Sequence, residues 1–402
     1  MSTLNFPPCT PDEAIEIIYQ LWTEPRAKRP TVYLIGEPGV GKSQIPRQVI
    51  PRIKAFKKYL SLDVRDCRLS TVESSDVKGL PAGDLEKKRA YWLKPDWLPR
   101  PGEPPSIIFF DEFSAAKRDT MSATYSLLLD GYLDDIILGE DNYVICAGND
   151  TSDGAIANPI GTAVSDRVLF LHIVASPESF INYWHPKGMH PAILALIRQI
   201  PYLLSNNDKR IQESLLASPT PRSWEFVDNI LTGPLGSLGK PRLLNIAVAG
   251  KVGEEAANHL AETLKDMTAC KDPNWLLDIS LKEAGANLPS TLRGSLVLAY
   301  SLCHVANTPP RIIKSAAIMK RLGETLNDPS LNDKEKAAIN NPTHTSGNET
   351  SALGIERLMR KAEEKGWTDE ILSSNAPGAD DVRNYLIDLD RRQRQFDTDL
   401  AA

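Results

Sequence analysis

Five short strand-like runs in the first half of the chain decide what it can fold into. They lie at 31–36 (TVYLIG), 59–64 (YLSLDV), 106–112 (SIIFFDE), 143–149 (YVICAGN) and 168–174 (VLFLHIV). Each is bounded by Gly, Pro or polar residues and is rich in β-branched or aromatic side chains. A sheet with one wet face would alternate apolar and polar residues. Runs that are largely apolar throughout belong to strands covered on both faces, which is the habit of parallel sheets flanked by helices. Helical patterns fill the gaps. Thr10 can cap a helix, Pro11 suits its first position, and Asp12 and Glu13 favour the positive end of its dipole. Met121, Tyr125, Leu128 and Leu129 recur at helical spacing along 118–129.

After about residue 176 the strand runs stop, and the remaining patterns are helical. Residues 326–352 are polar and read as a linker. Weaker helices are expected near 353–365 and 379–396. The expected fold class is therefore α/β: a parallel-sheet domain over 1–204, a helical domain over 205–328, and a polar linker with a helical C-terminal extension over 329–402. Residues 331–402 carry 14 acidic and 10 basic side chains, so much of the chain's net charge of −6 lies there. The extension holds no residue of the chemical set described next and is expected to be dispensable for that chemistry.

Composition closes off several classes. A net charge of −6 argues against attachment to DNA or membranes by bulk positive charge. No run of about 18 apolar residues is present, so no membrane span is expected, and the start lacks the pattern of a secretory signal. Five scattered cysteines without a CxxC pair fit reduced thiols and a cytoplasmic setting.

The string Gly36-Glu37-Pro38-Gly39-Val40-Gly41-Lys42-Ser43 follows a strand and precedes a helical pattern. Its form, GxxxxGK[ST], lets backbone N–H groups wrap phosphates at a helix start. Lys42 would neutralise the outer phosphates and Ser43 would ligate Mg²⁺. The stretch expected to touch nucleotide runs from Gly36 to Gln44. Pro46 is expected in the first turn of the following helix.

In 107–112 four apolar residues bury a strand, and Asp111 and Glu112 then emerge at its carboxyl end, where ligands sit in α/β sheets. Asp111 would hold Mg²⁺ through water, and Glu112 would orient and deprotonate an attacking water. Asn149 closes the strand YVICAGN. It fits either a water-positioning amide or a plain Asn-Asp turn.

GEPGVGKS, DVKGLP, FFDEFSAA, ICAGN, SDRVLFLHI and TPRSWEFVD together resemble the MoxR group of AAA+ ATPases over roughly 10–231. The resemblance implies a P-loop AAA+ nucleotide domain, an all-α lid, and ATP hydrolysis with Mg²⁺. It also implies a homo-oligomeric ring, usually a hexamer, that remodels a protein partner such as one with a von Willebrand factor A domain. Lys42 and Ser43 then fall on Walker A, Asp111 and Glu112 on Walker B, and Asn149 on sensor 1. Arg167 falls on the arginine finger, with a salt bridge to Asp166 as its plainer reading. Arg222 falls on sensor 2, with a helix start as its plainer reading. A planar, permanently charged guanidinium suits phosphate oxygens that gain charge during transfer.

The segments 70–81 and 91–99 are expected to face the partner, with packing as the competing role for the aromatics of 91–99. A turn is expected over 129–135. Trp224 and Phe226 read as lid core, His172, His185 and His190 as structural histidines, and Cys146 as inert. The basic residues between Arg47 and Lys58 and the run Lys87-Lys88-Arg89 read as a solvated face. A second function class, a nucleic-acid motor akin to McrB-type restriction subunits, would need a basic stripe or an attached DNA-binding module, and neither is visible. A third, a non-hydrolysing nucleotide switch or scaffold, has no need of the full set of Lys42, Asp111, Glu112, Asn149 and Arg167.

Overall fold

The computed structural model describes residues 6–25, 28–58, 61–84, 86, 89–100, 102–133, 136–149, 165–166, 168–206, 213, 215–326, 347–380 and 382–384. These fall into two compact units. The first comprises 1–179, 205–216 and 220–222, and the second comprises 180–204, 217–219 and 223–402.

The first unit is built on a six-stranded sheet of β1 (Pro8–Cys9), β2 (Thr31–Ile35), β3 (Asp63–Arg68), β6 (Ser106–Asp111), β9 (Tyr143–Gly148) and β10 (Val168–Ile173). The order across the sheet is β1-β10-β2-β9-β6-β3, and every pairing is parallel. The apolar runs now have a physical reason. Val32 and Leu34, Ile107 and Phe109, and Ile145 and Ala147 enter the core on one face, with α1 (Pro11–Thr23) and α2 (Ile45–Lys57). The alternate residues Tyr33 and Ile35, Ile108 and Phe110, and Val144 and Cys146 enter the core on the other, with α4 (Arg118–Leu129). Strand geometry sends successive side chains to opposite faces, so a sheet covered twice must be apolar at every position.

Local signals hold at the helix ends. Thr10 and Glu13 form a reciprocal capping box on α1, and Pro46 sits in the first turn of α2. One strand is displaced from its expected place. The run at 59–64 gives way to β3 at 63–68, whose sequence DVRDCR is charged and half exposed. It lies at the sheet edge beside β6, where solvent reaches it and charge discourages further strand pairing. The two-residue β1, which extends the opposite edge, was not expected at all.

Two short hairpins complete the unit. Residues 70–81 supply α3 (Ser74–Lys78) and the start of β4 (Leu80–Asp84), which pairs antiparallel with β5 (Arg89–Leu93). Leu80 and Leu93 face each other across this hairpin, and both are exposed, as are Tyr91 and Trp92. The aromatic stretch 91–99 is therefore split, because Trp97 packs on Phe110 at 5.4 Å and Leu98 is fully buried. The turn expected over 129–135 is realised as β7 (Tyr132–Leu133) paired with β8 (Ile136–Ile137).

The second unit is helical. It contains α5 (Pro177–Trp184) from Phe180 onward, α6 (Pro191–Gln199), α7 (Pro221–Thr232) from Ser223 onward, α8 (Pro241–Val252) and α9 (Glu254–Ala269). There follow α10 (Pro273–Asp278), α11 (Leu281–Gly285), α12 (Leu292–Val305), α13 (Pro309–Leu326), α14 (Gly347–Lys365) and α15 (Thr368–Ser373). Residues 180–204, grouped with the sheet by sequence, cluster with the helices instead. The all-apolar face of α6 packs against α9 and α12. The C-terminal extension is likewise not peripheral. Ile355, Leu358, Met359, Ala362, Ile371 and Val382 share one buried cluster with Ile312, Ala316 and Met319 of α13. Its polar composition hid this, since only one stripe of α14 is apolar.

The chain thus has the expected α/β class: a six-stranded parallel-sheet unit with helices on both faces, followed in sequence by helices. Among the described residues no helix is long and apolar enough to cross a membrane.

Candidate functional site

Parallel strands all end on the same edge of their sheet, and here that edge gathers the sequence-predicted residues. The strand β2 runs directly into the loop 36–41, β9 beside it delivers Asn149, and β6 beyond that delivers Asp111 and Glu112. Gly41 has φ +104° as it caps the turn Lys42–Gln44 that leads into α2. A side chain would be strained in that backbone, which explains the last glycine of the motif.

Lys42 is nearly buried, at 8% exposure. Its Nζ donates to the carbonyl oxygen of Gly36, to that of Glu37 at 2.9 Å and to Asn149 Oδ1 at 2.9 Å. These three neutral oxygens hold the ammonium against the loop and the end of β9. Ser43 Oγ donates to Asp111 Oδ2 at 2.8 Å, while the other Asp111 oxygen accepts the Glu112 N–H at 2.8 Å. The hydroxyl and carboxylate therefore form an adjoining pair of hard oxygen donors, a set that fits Mg²⁺.

Glu112 adopts a left-handed backbone with φ +54°. This costs on the order of 1 kcal/mol for a residue with a side chain, and strain of this kind collects at functional positions. It starts the turn Phe113–Ala115 that follows β6. Ser70 Oγ donates to the Glu112 carboxylate, and Arg68 Nε lies 3.7 Å from it. Both groups of that ion pair are about half exposed, so it orients Glu112 more than it stabilises the fold.

Further polar contacts brace the site. The Asn149 N–H donates to Ser114 Oγ at 2.9 Å. Arg47 donates to the Ser43 carbonyl at 2.8 Å and to Asp66 Oδ2 at 3.0 Å. Ser205 Oγ donates to Glu37 Oε2 at 3.3 Å, and the Arg222 N–H donates to the Gly39 carbonyl at 3.3 Å. The loop is thereby joined to the segment 205–222, far along the chain. Val40 is buried within the loop and Gln44 is exposed behind it.

Lys42, Ser43, Asp111, Glu112, Asn149 and Arg222 are thus brought to one region, and Arg167 lies outside the described residues. Arg68, Ser70 and Ser114 escaped sequence reasoning. The register of β3 on β6 sets Arg68 opposite Asp111, and a strand placed four residues early could not reveal that. Ser114 belongs to a turn with no motif of its own.

Other side chains take structural places. Trp224 is fully buried, its Nε1–H donating to the Leu203 carbonyl at 2.8 Å. Phe226, expected in the core, is exposed, with Lys251 Nζ 4.1 Å from its ring centre. His190 Nδ1 accepts from the Ala192 N–H and so caps α6. His172 meets the edge of Phe6. Burial pushes the Cys146 thiol well up, away from the reactive thiolate form. Arg47, Arg52 and Lys57 are drawn into surface ion pairs with Asp66, Glu16 and Asp141.

Comparison with protein-family models and with curated proteins finds no match. Among solved structures, a RuvB mutant from Thermotoga maritima is similar at 14% identity and a TM-score of 0.32, over 69% of this chain and 79% of that one. A putative ATPase from Cytophaga hutchinsonii is similar at 12% identity and a TM-score of 0.30, over 93% of this chain and 88% of that one. PCH-2 of C. elegans is similar at 13% identity and a TM-score of 0.30, over 64% and 68% of the two chains. Likenesses this distant do not bear on function, so the functional reading rests on the chain's own residues.

Proposed function

We propose that this chain is a MoxR-like AAA+ ATPase that hydrolyses ATP in a homo-oligomeric, hexameric ring and remodels a protein partner. A protein with a von Willebrand factor A domain is the candidate partner. The observation that supports this most directly is the pair of short contacts at one sheet edge, Lys42 to Asn149 at 2.9 Å and Ser43 to Asp111 at 2.8 Å. They join three sequence motifs that lie up to 107 residues apart.

In this reading Lys42 compensates charge on the β- and γ-phosphates, and the loop from Gly36 to Ser43 cradles them. Ser43 and Asp111 would hold Mg²⁺, which when bound draws charge from the phosphate oxygens. Glu112 takes the proton of the water that attacks the γ-phosphorus as the bond to the leaving ADP oxygen breaks. Asn149 positions that water. Arg222 and Arg167 stabilise the charge that develops, Arg167 from a neighbouring subunit. The exposed apolar hairpin of β4 and β5 is the proposed contact for the partner.

Glu112→Gln should bind ATP but hydrolyse it at least about a hundredfold more slowly, the scale of losing a general base. Lys42→Ala should lose tight ATP binding. Equilibrium binding of a fluorescent ATP analogue, read beside phosphate release, separates the two. Wild-type turnover in Glu112→Gln would sink the assignment. Pull-down with that variant in ATP should enrich the partner.

A further inference from the structure

The helical unit carries a second charged centre that ATP hydrolysis does not use. The turn after α5, the C-terminal end of α12 and the second half of α14 wall a cavity of about 400 Å³. Lys187, Arg357, Arg360, Lys361 and Lys365 line it, and Glu364 is the one carboxylate among its described lining residues. The whole chain has a net charge of −6, so this gathering of cations is a local feature and not a reflection of composition. Like charges held together raise the free energy of the fold unless an anion offsets them.

A purely structural explanation covers part of the cluster. Lys361 Nζ donates to the carbonyl oxygens of Cys303 at 2.9 Å and His304 at 3.3 Å, which caps the C-terminus of α12. That capping explains Lys361, and an ion pair with Glu356 offsets the charge of Arg360. Arg357 is only 7% exposed. Its NH2 donates to Asn182 Oδ1 at 3.2 Å and its guanidinium lies 5.7 Å from the centre of the Tyr300 ring. These contacts fix a planar cation in the cavity wall. Lys187 lies over the Tyr183 ring, 3.4 Å from its centre, and Arg360 reaches Glu356 at 3.0 Å on the exposed side of α14.

His185 supplies an independent sign. Its ring tilts against Tyr300 at 5.8 Å, and its Nε2 is buried with no hydrogen-bond partner among the described residues. Buried polar atoms without partners are uncommon, and each carries a desolvation cost that a ligand oxygen would remove. Burial and the charges of Arg357, Lys361 and His304 keep the ring neutral.

We propose that this cavity is a binding site for a small phosphorylated molecule, held by Arg357, Arg360, Lys187 and Lys365 and touched by His185 Nε2. The volume lies in the range of small-molecule sites. A planar guanidinium fork matches phosphate oxygens two at a time, and several cations suit more than one negative charge. Arg357 sits in the wall of a concavity, which a compact phosphate group enters more readily than a nucleic-acid backbone lying across the rim.

The test titrates inorganic pyrophosphate calorimetrically into the full chain carrying Lys42→Ala, so that the P-loop does not compete. One saturable site per chain is expected. The exposed pair Arg360→Gln and Lys365→Gln, added together, should weaken it at least about tenfold, the scale of losing charge-assisted contacts. Arg357→Ala should abolish it, and Arg357→Lys should fall between. Absence of saturable heat, or equal affinity in the exposed double variant, would overturn the proposal. Displacement of pyrophosphate by a single-stranded DNA oligonucleotide at lower concentration than unlabelled pyrophosphate needs would assign the cavity to nucleic acid and overturn it too.

Discussion

At the residue scale, the site is shaped as much by what is missing from a side chain as by what is present. Gly148 ends β9 immediately before Asn149, and a Cβ there would collide with the Tyr33 hydroxyl and press on Ser114 Oγ. Ser114 in turn accepts the Asn149 N–H, so the glycine protects the placement of the amide that meets Lys42. Gly148→Ala is expected to destabilise the sheet unit by about 1–3 kcal/mol, the usual scale of overpacking, and to lower turnover further than stability alone would. Adding Tyr33→Phe removes the colliding oxygen and should restore much of the lost stability, read as thermal midpoints of the single and double variants. Additive losses would show that Tyr33 is not the obstacle. Most of the site was legible because its chemistry needs particular residue types next to one another: Lys42 beside Ser43, and Asp111 beside Glu112. Tyr33, Ser70 and Ser114 were not legible, because their value comes from strand order and register, which one sequence does not display.

At the element scale, helix ends and covered strands follow local rules, while the edge strand does not. The strand β3 gains its place from pairing with β6, so tertiary context overrides the apolar run just before it. The helices of the second unit carry a pH dependence of their own. His185, at the end of α5, is pushed down to about 3 by burial and by neighbouring positive charge. His190, which caps α6 through its neutral Nδ1, is pushed down by burial as well. Both folded values lie below the ordinary 6.5. The unfolded chain therefore takes up protons that the folded chain refuses, and stability falls as pH drops below about 6.5, towards about 3 for His185. Above that window the contribution is fully present. The urea midpoint of the helical unit should fall between pH 7 and pH 4.5, and His185→Gln should flatten that slope by about one proton. Parallel slopes for the two proteins would contradict the burial argument.

At the scale of the whole molecule, the proposed ring and the C-terminal extension make separate demands. If Arg167 serves a neighbouring active site, Arg167→Ala and Glu112→Gln are each inactive alone. Mixed, they should regain part of their activity, because some interfaces pair an intact Glu112 with an intact Arg167. No recovery after proven co-assembly would place Arg167 in its own chain or outside the chemistry. A chain ending near 328 retains every residue assigned to ATP, yet it loses Ile355, Leu358, Met359, Ala362 and Ile371 from a buried cluster. At about 1.5–3 kcal/mol for each buried side chain, the loss rivals the stability of an ordinary domain. The truncated protein should therefore show lower helicity by circular dichroism and an earlier melting transition, and unchanged melting would show the extension to be an ornament. The same interleaving sets a timetable for synthesis. Every piece of the sheet unit has been made once residue 222 has left the ribosome, whereas the helical unit begins at 180 and still lacks α14 and α15. The helices α10 to α13, which share a buried cluster with the extension, must wait with part of their apolar faces uncovered until the last seventh or so of the chain arrives. A nascent chain stalled near residue 330 is thus the species most exposed to aggregation and most in need of a chaperone.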